Sequence, residues 1–217
     1  MFMSLISVLL LGFILGVKHS IEPDHIIAVS TVVGKSRKLL RSTLTGVFWG
    51  IGHTITLFIV GMAFILMKGE LTDKWAMSFE FLVGIMLVYL GIKSLLFMKN
   101  QDSDSDTESR EKSSLMKVTI IGFVHGLAGS AAMVLLTMST VTTVWEGALY
   151  IGIFGLGTIF GMLTFTTILG IPFVYSKGNV KLNRFLTQAA GSVSFLFGIY
   201  YMYNLGITEG LFGLWVQ

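Results

Sequence analysis

The sequence predicts an all-α polytopic membrane protein, with six transmembrane helices arranged as two inverted three-helix repeats. Of the 217 residues, 53% are hydrophobic and only 12% are charged, and the mean hydropathy is +0.80. A soluble domain carries about twice that charged fraction. Six apolar segments are each long enough to cross a bilayer; they lie at residues 3–33, 43–67, 77–98, 117–141, 147–172 and 186–206. The composition therefore predicts a multi-pass protein of the cell (inner) membrane that contacts the lipid bilayer.

The first segment is too long for one straight span. A helix over 3–33 would measure about 45 Å, against a hydrocarbon core of about 30 Å. Pro23 has no N–H for the carbonyl of His19 and its ring crowds that carbonyl, so we expect a break at residues 20–23 and a freed peptide oxygen beside His19. The break would let His19 and His25, which point about 120° apart in a straight helix, turn toward one point. The polar residues of this segment lie where a cleavable signal peptide has its apolar core, so we expect the segment to remain in the mature protein.

Loop charges predict the orientation of the remaining segments. Basic residues collect in the first, third and fifth loops, whereas the second loop is balanced and the fourth carries only an acidic residue. The positive-inside rule then places the odd loops in the cytoplasm and both termini outside. The resulting organisation is a first repeat at 1–98, a disordered cytoplasmic linker at 99–116, a second repeat at 117–206 and a C-terminal segment at 207–217. The C-terminal segment is expected to lie in the interface; the alternative is that it folds back as a gate.

The prediction of a repeat rests on three matches between the two halves of the chain, which are separated by nearly the same number of residues. Residues 15–21 align with 121–127 at an offset of 106, and 50–54 align with 155–159 at 105. Gly84 and Gly91 match Gly191 and Gly198 at 107. Glycine-rich apolar runs also align by chance, but an odd number of spans per repeat would invert the second half, as in many secondary transporters, whose site lies between the halves.

All four histidines lie inside apolar segments. A single membrane histidine is often only a hydrogen-bond donor between helices, but four of them together with carboxylates favour a divalent first-row metal over Ca²⁺ or Mg²⁺. The predicted metal ligands are His19, Asp24, His25, His53 and His125, and the secondary candidates are Glu22, Thr54 and Ser130. Structural roles are predicted for the helix-breaking Pro23 and for four glycines that allow close helix approach, Gly50, Gly52, Gly126 and Gly129.

Two lysines within the apolar segments are awkward for a cation site. We expect Lys18 to pair with Glu22 at i,i+4, which would leave Asp24 as the free carboxylate; a direct role of Lys18 is the alternative. Lys93, near the inner end of the third segment, is expected to extend its amine to the interface.

The composition also excludes several functions. The chain has no cysteine, which removes thiolate metal sites, disulfides and thiol or electron carriers of that kind. No nucleotide-binding loop is present, which argues against an ATP-driven pump acting alone. The net charge of +3 comes from loop residues that signal topology, so no nucleic-acid partner is expected. We predict no catalytic residues, no enzyme activity and no resident cofactor.

The pattern His19-x4-Asp24-His25 resembles the signature of the nickel/cobalt transporter family, in which it lies in a transmembrane helix and carries metal selection. Gly52-His53-Thr54 is similar to that family's second histidine motif. The six-span length and the run from His125 to Ser130 resemble more closely the urease accessory, H-type membrane proteins of the same superfamily. The family's typical eight spans and later acidic motifs are missing here, and Pro23 departs from its signature.

The resemblance implies transport of Ni²⁺, with Co²⁺ next, through a His/Asp site near the membrane midplane, the ion being cargo. The alternatives are a non-transporting membrane scaffold that supplies nickel to a metalloenzyme such as urease, with its partner on the cytoplasmic linker, and an exporter of another divalent metal. No oligomeric state is predicted.

Overall fold

The computed structural model describes residues 5–34, 38–67, 72–97, 114–128 and 143–216. Over these ranges the chain is all-helical, as predicted. The eight α-helices are α1 (Leu5–His19), α2 (Pro23–Val33), α3 (Leu39–Met67), α4 (Asp73–Phe97), α5 (Ser114–Ala128), α6 (Val144–Tyr175), α7 (Val180–Tyr203) and α8 (Leu211–Val216).

Three of these helices, α3, α4 and α6, are long and apolar enough to cross a membrane, and the bent pair α1–α2 forms a fourth candidate span. Helices α3 to α7 each begin a few residues before the corresponding predicted segment. Helix α5 begins at Ser114, inside the predicted linker. Residues 99–113 of that linker and 129–141 of the fourth predicted segment lie outside the described residues.

The predicted break in the first segment is present, and α1 and α2 meet at 56°. Pro23 begins α2, where its missing N–H has no partner to lose. The expectation of a freed His19 carbonyl was wrong. That oxygen accepts the N–H of Glu22 at 3.1 Å, because the last turn of α1 tightens to an i→i+3 pattern before the chain turns.

Glycines set the helix crossings around the centre of the molecule. Gly16 of α1 lies against the carbonyl of Phe154 in α6, and Gly157 of α6 lies against the carbonyl of Phe13. Helices α3 and α5 cross in the same manner: Gly122 lies against the carbonyl of Trp49, and Gly52 against the carbonyl of Thr119. Any side chain at these positions would separate the helix backbones.

Helices α4 and α7 pack on each other along most of their lengths. Gly91 and Gly191 face each other, and so do Gly84 and Gly198. The fully buried hydroxyl of Ser194 donates to the carbonyl of Leu87 at 2.8 Å.

The C-terminal segment packs on the beginning of α4. The indole N–H of Trp215 donates to Ser78 at 3.1 Å, its ring lies 5.5 Å from the ring of Trp75, and the Lys74 amine lies 4.0 Å from its centroid. Helix α8 is therefore fixed to α4.

Candidate metal centre

The four histidines and Asp24 come together where α1 ends and α2 begins, beside the middle of α3 and the end of the described part of α5. His53 and His125 are fully buried, and His25 is 1% exposed. The five side chains form two groups of three, His19, His25 and His53 in one, and Asp24, His25 and His125 in the other. Within each group the potential ligand atoms lie within 4.8 Å of one another. We call these groups the first triad and the second triad.

The first triad contains only imidazoles. Nε2 of His19 lies 3.1 Å from Nε2 of His53. On the other side of the His19 ring, Nδ1 lies 2.9 Å from a carboxylate oxygen of Glu22. A carboxylate accepts hydrogen bonds, so in the tautomer protonated on Nδ1 His19 donates to Glu22 and presents the lone pair of Nε2 toward His53. Glu22 therefore orients His19 as the outer carboxylates of metal sites orient their histidines.

This contact corrects the expectation that Glu22 pairs with Lys18. Among the described residues, the ion pair of Glu22 is with His19 at i,i+3, and the side chain of Lys18 is exposed. The tight turn at the end of α1 places residue 22 beside residue 19. Glu22, a secondary candidate for metal ligation, therefore contacts the predicted ligand His19.

The second triad combines a carboxylate with two imidazoles. Nε2 of His125 lies 2.9 Å from Oδ2 of Asp24 and 3.2 Å from Nδ1 of His25. Oδ1 of Asp24 lies 3.2 Å from the same His25 nitrogen. The two oxygens of one carboxylate thus hold both rings in place.

These separations suit a first-row metal ion. Two ligands about 2.0–2.1 Å from an ion lie about 2.8–3.0 Å apart at right angles and about 3.3–3.4 Å apart at the tetrahedral angle, and the measured separations run from 2.9 to 3.2 Å. Within the described part of the chain, the buried Nε2 of His25 has no hydrogen-bond partner, and neither has Nδ1 of His53 or of His125, the ring nitrogen opposite the one that faces the other ligands. Buried polar atoms are rarely left in this way, so Nε2 of His25 is available to an ion.

Two aromatic side chains that the sequence analysis missed enclose the cluster. The fully buried ring of Trp49 lies 5.5 Å from His125, and the ring of Phe154 lies 5.5 Å from His19. Trp49 precedes His53 by one helical turn, and its position in the middle of α3, away from the interfaces that tryptophan prefers, was a usable signal. The two rings therefore form an apolar part of the lining of the cluster.

The remaining predicted site residues lie around the cluster. Thr54 donates to the carbonyl of Gly155 at 3.2 Å and so serves the contact between α3 and α6. Gly126 lies against the backbone of His53. Gly50 and Gly52, for which the sequence predicts close helix approach, lie against Ile159 of α6 and Thr119 of α5.

Two further candidates, Ser130 and Gly129, lie outside the described residues.

Comparison with known proteins identifies several relatives. The chain is 54% identical to the urease accessory protein UreH of Bacillus sp. (strain TB-90) over 98% of both chains. It is 27% identical to the chloroplast protein FOR GROWTH AND FERTILITY 2 of Arabidopsis thaliana, over 87% of this chain and 54% of that protein. It is also 27% identical to the "Putative nickel/cobalt efflux system" of Methanocaldococcus jannaschii, over 87% of this chain and 89% of that protein.

No protein-family model matches the chain, and no solved structure matches it. None of the three relatives carries the name of an enzyme, in agreement with the sequence prediction. Together with the apolar helices, these similarities make the chain a multi-pass membrane protein. The 54% identity over nearly the whole of both sequences shows that the chain belongs to the family of the urease accessory protein UreH.

Proposed function

We propose that the protein carries a divalent first-row metal ion across the membrane, with Ni²⁺ as the preferred substrate and Co²⁺ next. One observation carries the proposal: four imidazoles and one carboxylate converge, largely buried, beside the middle of a membrane helix. Groups of this polarity are expensive in a membrane unless they serve an ion pathway. The names of two relatives, a urease accessory protein and a nickel/cobalt efflux system, point to the same metals.

The ligand chemistry supports this choice of ions. The cluster offers four nitrogen donors and one carboxylate, whereas Ca²⁺ and Mg²⁺ prefer sites built mainly from oxygen. Imidazole suits Ni²⁺, Co²⁺, Zn²⁺ and Fe²⁺, and the affinity of such sites rises from iron through cobalt to nickel. The ion is cargo in this proposal, and no resident cofactor is required.

The proposed framework is six spans in two inverted repeats, 1–98 and 117–206, joined by the cytoplasmic linker and followed by the interfacial segment at 207–217. The glycine crossings support it. Adding the repeat offset of 106 to the α1 residue and subtracting the offset of 105 from the α6 residue turns the Gly16–Phe154 contact into Gly122–Trp49. The same offsets turn the Phe13–Gly157 contact into Thr119–Gly52. A pseudo-twofold axis in the membrane plane produces such reciprocal pairs.

The proposed orientation places both termini outside the cell membrane and the odd loops in the cytoplasm. Because the chain lacks cysteine, single cysteines report on accessibility without background. We expect Ser36→Cys and Ser105→Cys to react with an impermeant maleimide only after the cells are opened, and Thr72→Cys to react in intact cells. The reverse pattern would refute the orientation.

Metal flux into proteoliposomes that contain the purified protein tests the transport proposal directly. Ni²⁺, Co²⁺, Zn²⁺, Fe²⁺ and Mn²⁺ are compared with His25→Gln as the inactive variant and Lys18→Ala, on the exposed side of α1, as the matched control. Saturable Ni²⁺ or Co²⁺ flux that disappears only in His25→Gln is expected. Equal flux in His25→Gln and the wild type would refute the site.

The second candidate is a membrane scaffold that supplies nickel to a metalloenzyme such as urease. The near full-length identity to a urease accessory protein favours it. A scaffold would bind Ni²⁺ without flux and would dock its maturation partner on the cytoplasmic linker at 99–116. Export, which the name of the archaeal relative suggests, is distinguished by loading the vesicles and following the loss of metal.

A further inference from the structure

His25 belongs to both triads, and its two ring nitrogens have different surroundings. Nδ1 lies in the second triad, 3.2 Å from both Asp24 and His125. Nε2 is buried and has no hydrogen-bond partner in the described ranges. The ring centroids of His19 and His53 lie 4.6 Å and 5.0 Å from that of His25. One imidazole therefore stands between two sets of donors.

An ion in one triad disfavours a second ion in the other. Two divalent ions that share one imidazole would lie within a few ångströms of each other, in a site from which water is largely excluded, and their repulsion there is strong. The two ligand sets also differ in charge. The first triad supplies neutral nitrogens only, whereas the second adds the negative charge of Asp24.

Each triad contains one partly exposed ligand. The side chain of His19 in the first triad is 11% exposed and that of Asp24 in the second is 18% exposed. The shared His25 is 1% exposed. The imidazole that joins the two triads is therefore more deeply buried than one ligand in each of them.

We propose that the two triads are alternate positions of a single transported ion, and that His25 hands the ion from one position to the other by ligating it in both. The hand-over presupposes the transport function proposed above. It assigns His19 and His53 to one position and Asp24 and His125 to the other.

Co²⁺ binding to the purified full-length protein tests the hand-over, because the visible spectrum of Co²⁺ changes with its ligands. His53→Gln removes a ligand from the first triad only, and His125→Gln removes one from the second only. His25→Gln removes a ligand from both. His19→Gln and Asp24→Asn repeat the two single-triad tests in case one variant fails to fold, and size-exclusion chromatography checks the fold of each.

We expect His53→Gln and His125→Gln each to bind one Co²⁺ with distinct spectra, that of His53→Gln showing the carboxylate ligand. Each variant should lose at least about 100-fold of Co²⁺ flux in proteoliposomes, and His25→Gln should lose both binding and flux. Identical spectra, or loss of binding in both single-triad variants as complete as in His25→Gln, would overturn the hand-over in favour of one joint site. Absence of flux in the wild-type protein would instead refute transport itself, whatever the spectra show.

Discussion

Replacing Gly126 by alanine should misalign the metal centre without removing any ligand. Gly126 follows His125 in α5, and a Cβ there would lie 2.7 Å from the carbonyl oxygen of His53 and 2.9 Å from Cβ of Thr56. Ordinary contact begins near 3.4 Å, so α5 must retreat from α3 by roughly 0.7 Å. Functional constellations tolerate only about 0.5 Å. Since Nε2 of His125 lies 2.9 Å from Asp24 and 3.2 Å from His25, the second triad opens.

We expect Gly126→Ala to weaken Ni²⁺ binding about 10- to 100-fold, the range seen when a group that positions a metal ligand is lost. Isothermal titration of the purified protein measures the affinity, and proteoliposome flux should fall in parallel. The matched control is Gly152→Ala in α6, where an added Cβ meets nothing within 4 Å. The reasoning fails if Gly126→Ala binds and carries Ni²⁺ within twofold of Gly152→Ala.

Three further predictions follow from the contacts described above. Glu22→Ala should weaken Ni²⁺ binding about 10- to 100-fold, because the 2.9 Å contact that orients His19 is lost; titration should show no change in Lys18→Ala, and an unchanged Glu22→Ala would contradict the orienting role. Tyr201→Phe removes the 3.0 Å hydrogen bond to Glu80 between α7 and α4 and should lower the free energy of unfolding by about 1–2 kcal/mol in denaturant titrations; the same loss in Tyr203→Phe, where the ring is 58% exposed, would point to a non-specific effect. Ni²⁺ affinity should fall on acidification, because protons and the metal ion compete for the imidazole nitrogens; titrations over a series of pH values measure this, and pH-independent affinity would argue against imidazole ligation.

The position of the cluster was predictable because polar residues in apolar segments are so few. Four histidines in four places, with one proline between two of them, leave little choice of where the helix breaks. The local hydrogen bonding was not predictable. Whether Glu22 reaches Lys18 or His19 depends on whether the last turn closes at i→i+4 or i→i+3, and the sequence is compatible with both.

The division of the donors into two triads was not predictable either. It depends on the direction of each ring nitrogen, which is set by crossings between helices that are distant in the sequence. The helices that oppose Gly50 and Gly52, which are α6 and α5, were not predictable for the same reason. Glycine spacing indicates that a helix face will be in close contact, but the identity of the opposing helix is decided by the packing of the whole molecule.

The glycine crossings also constrain the order in which the molecule can be completed. Thr158 donates to the carbonyl of Gly16, a residue 142 positions earlier in the chain. During synthesis α1 therefore enters the bilayer long before α6 is made, with its glycine face and His19 lacking their final neighbours. The first half can acquire its native packing only after the second half has been inserted, so assembly has to occur late and within the membrane. If the two halves are expressed as separate chains, we expect them to associate in the membrane and to form the same packing.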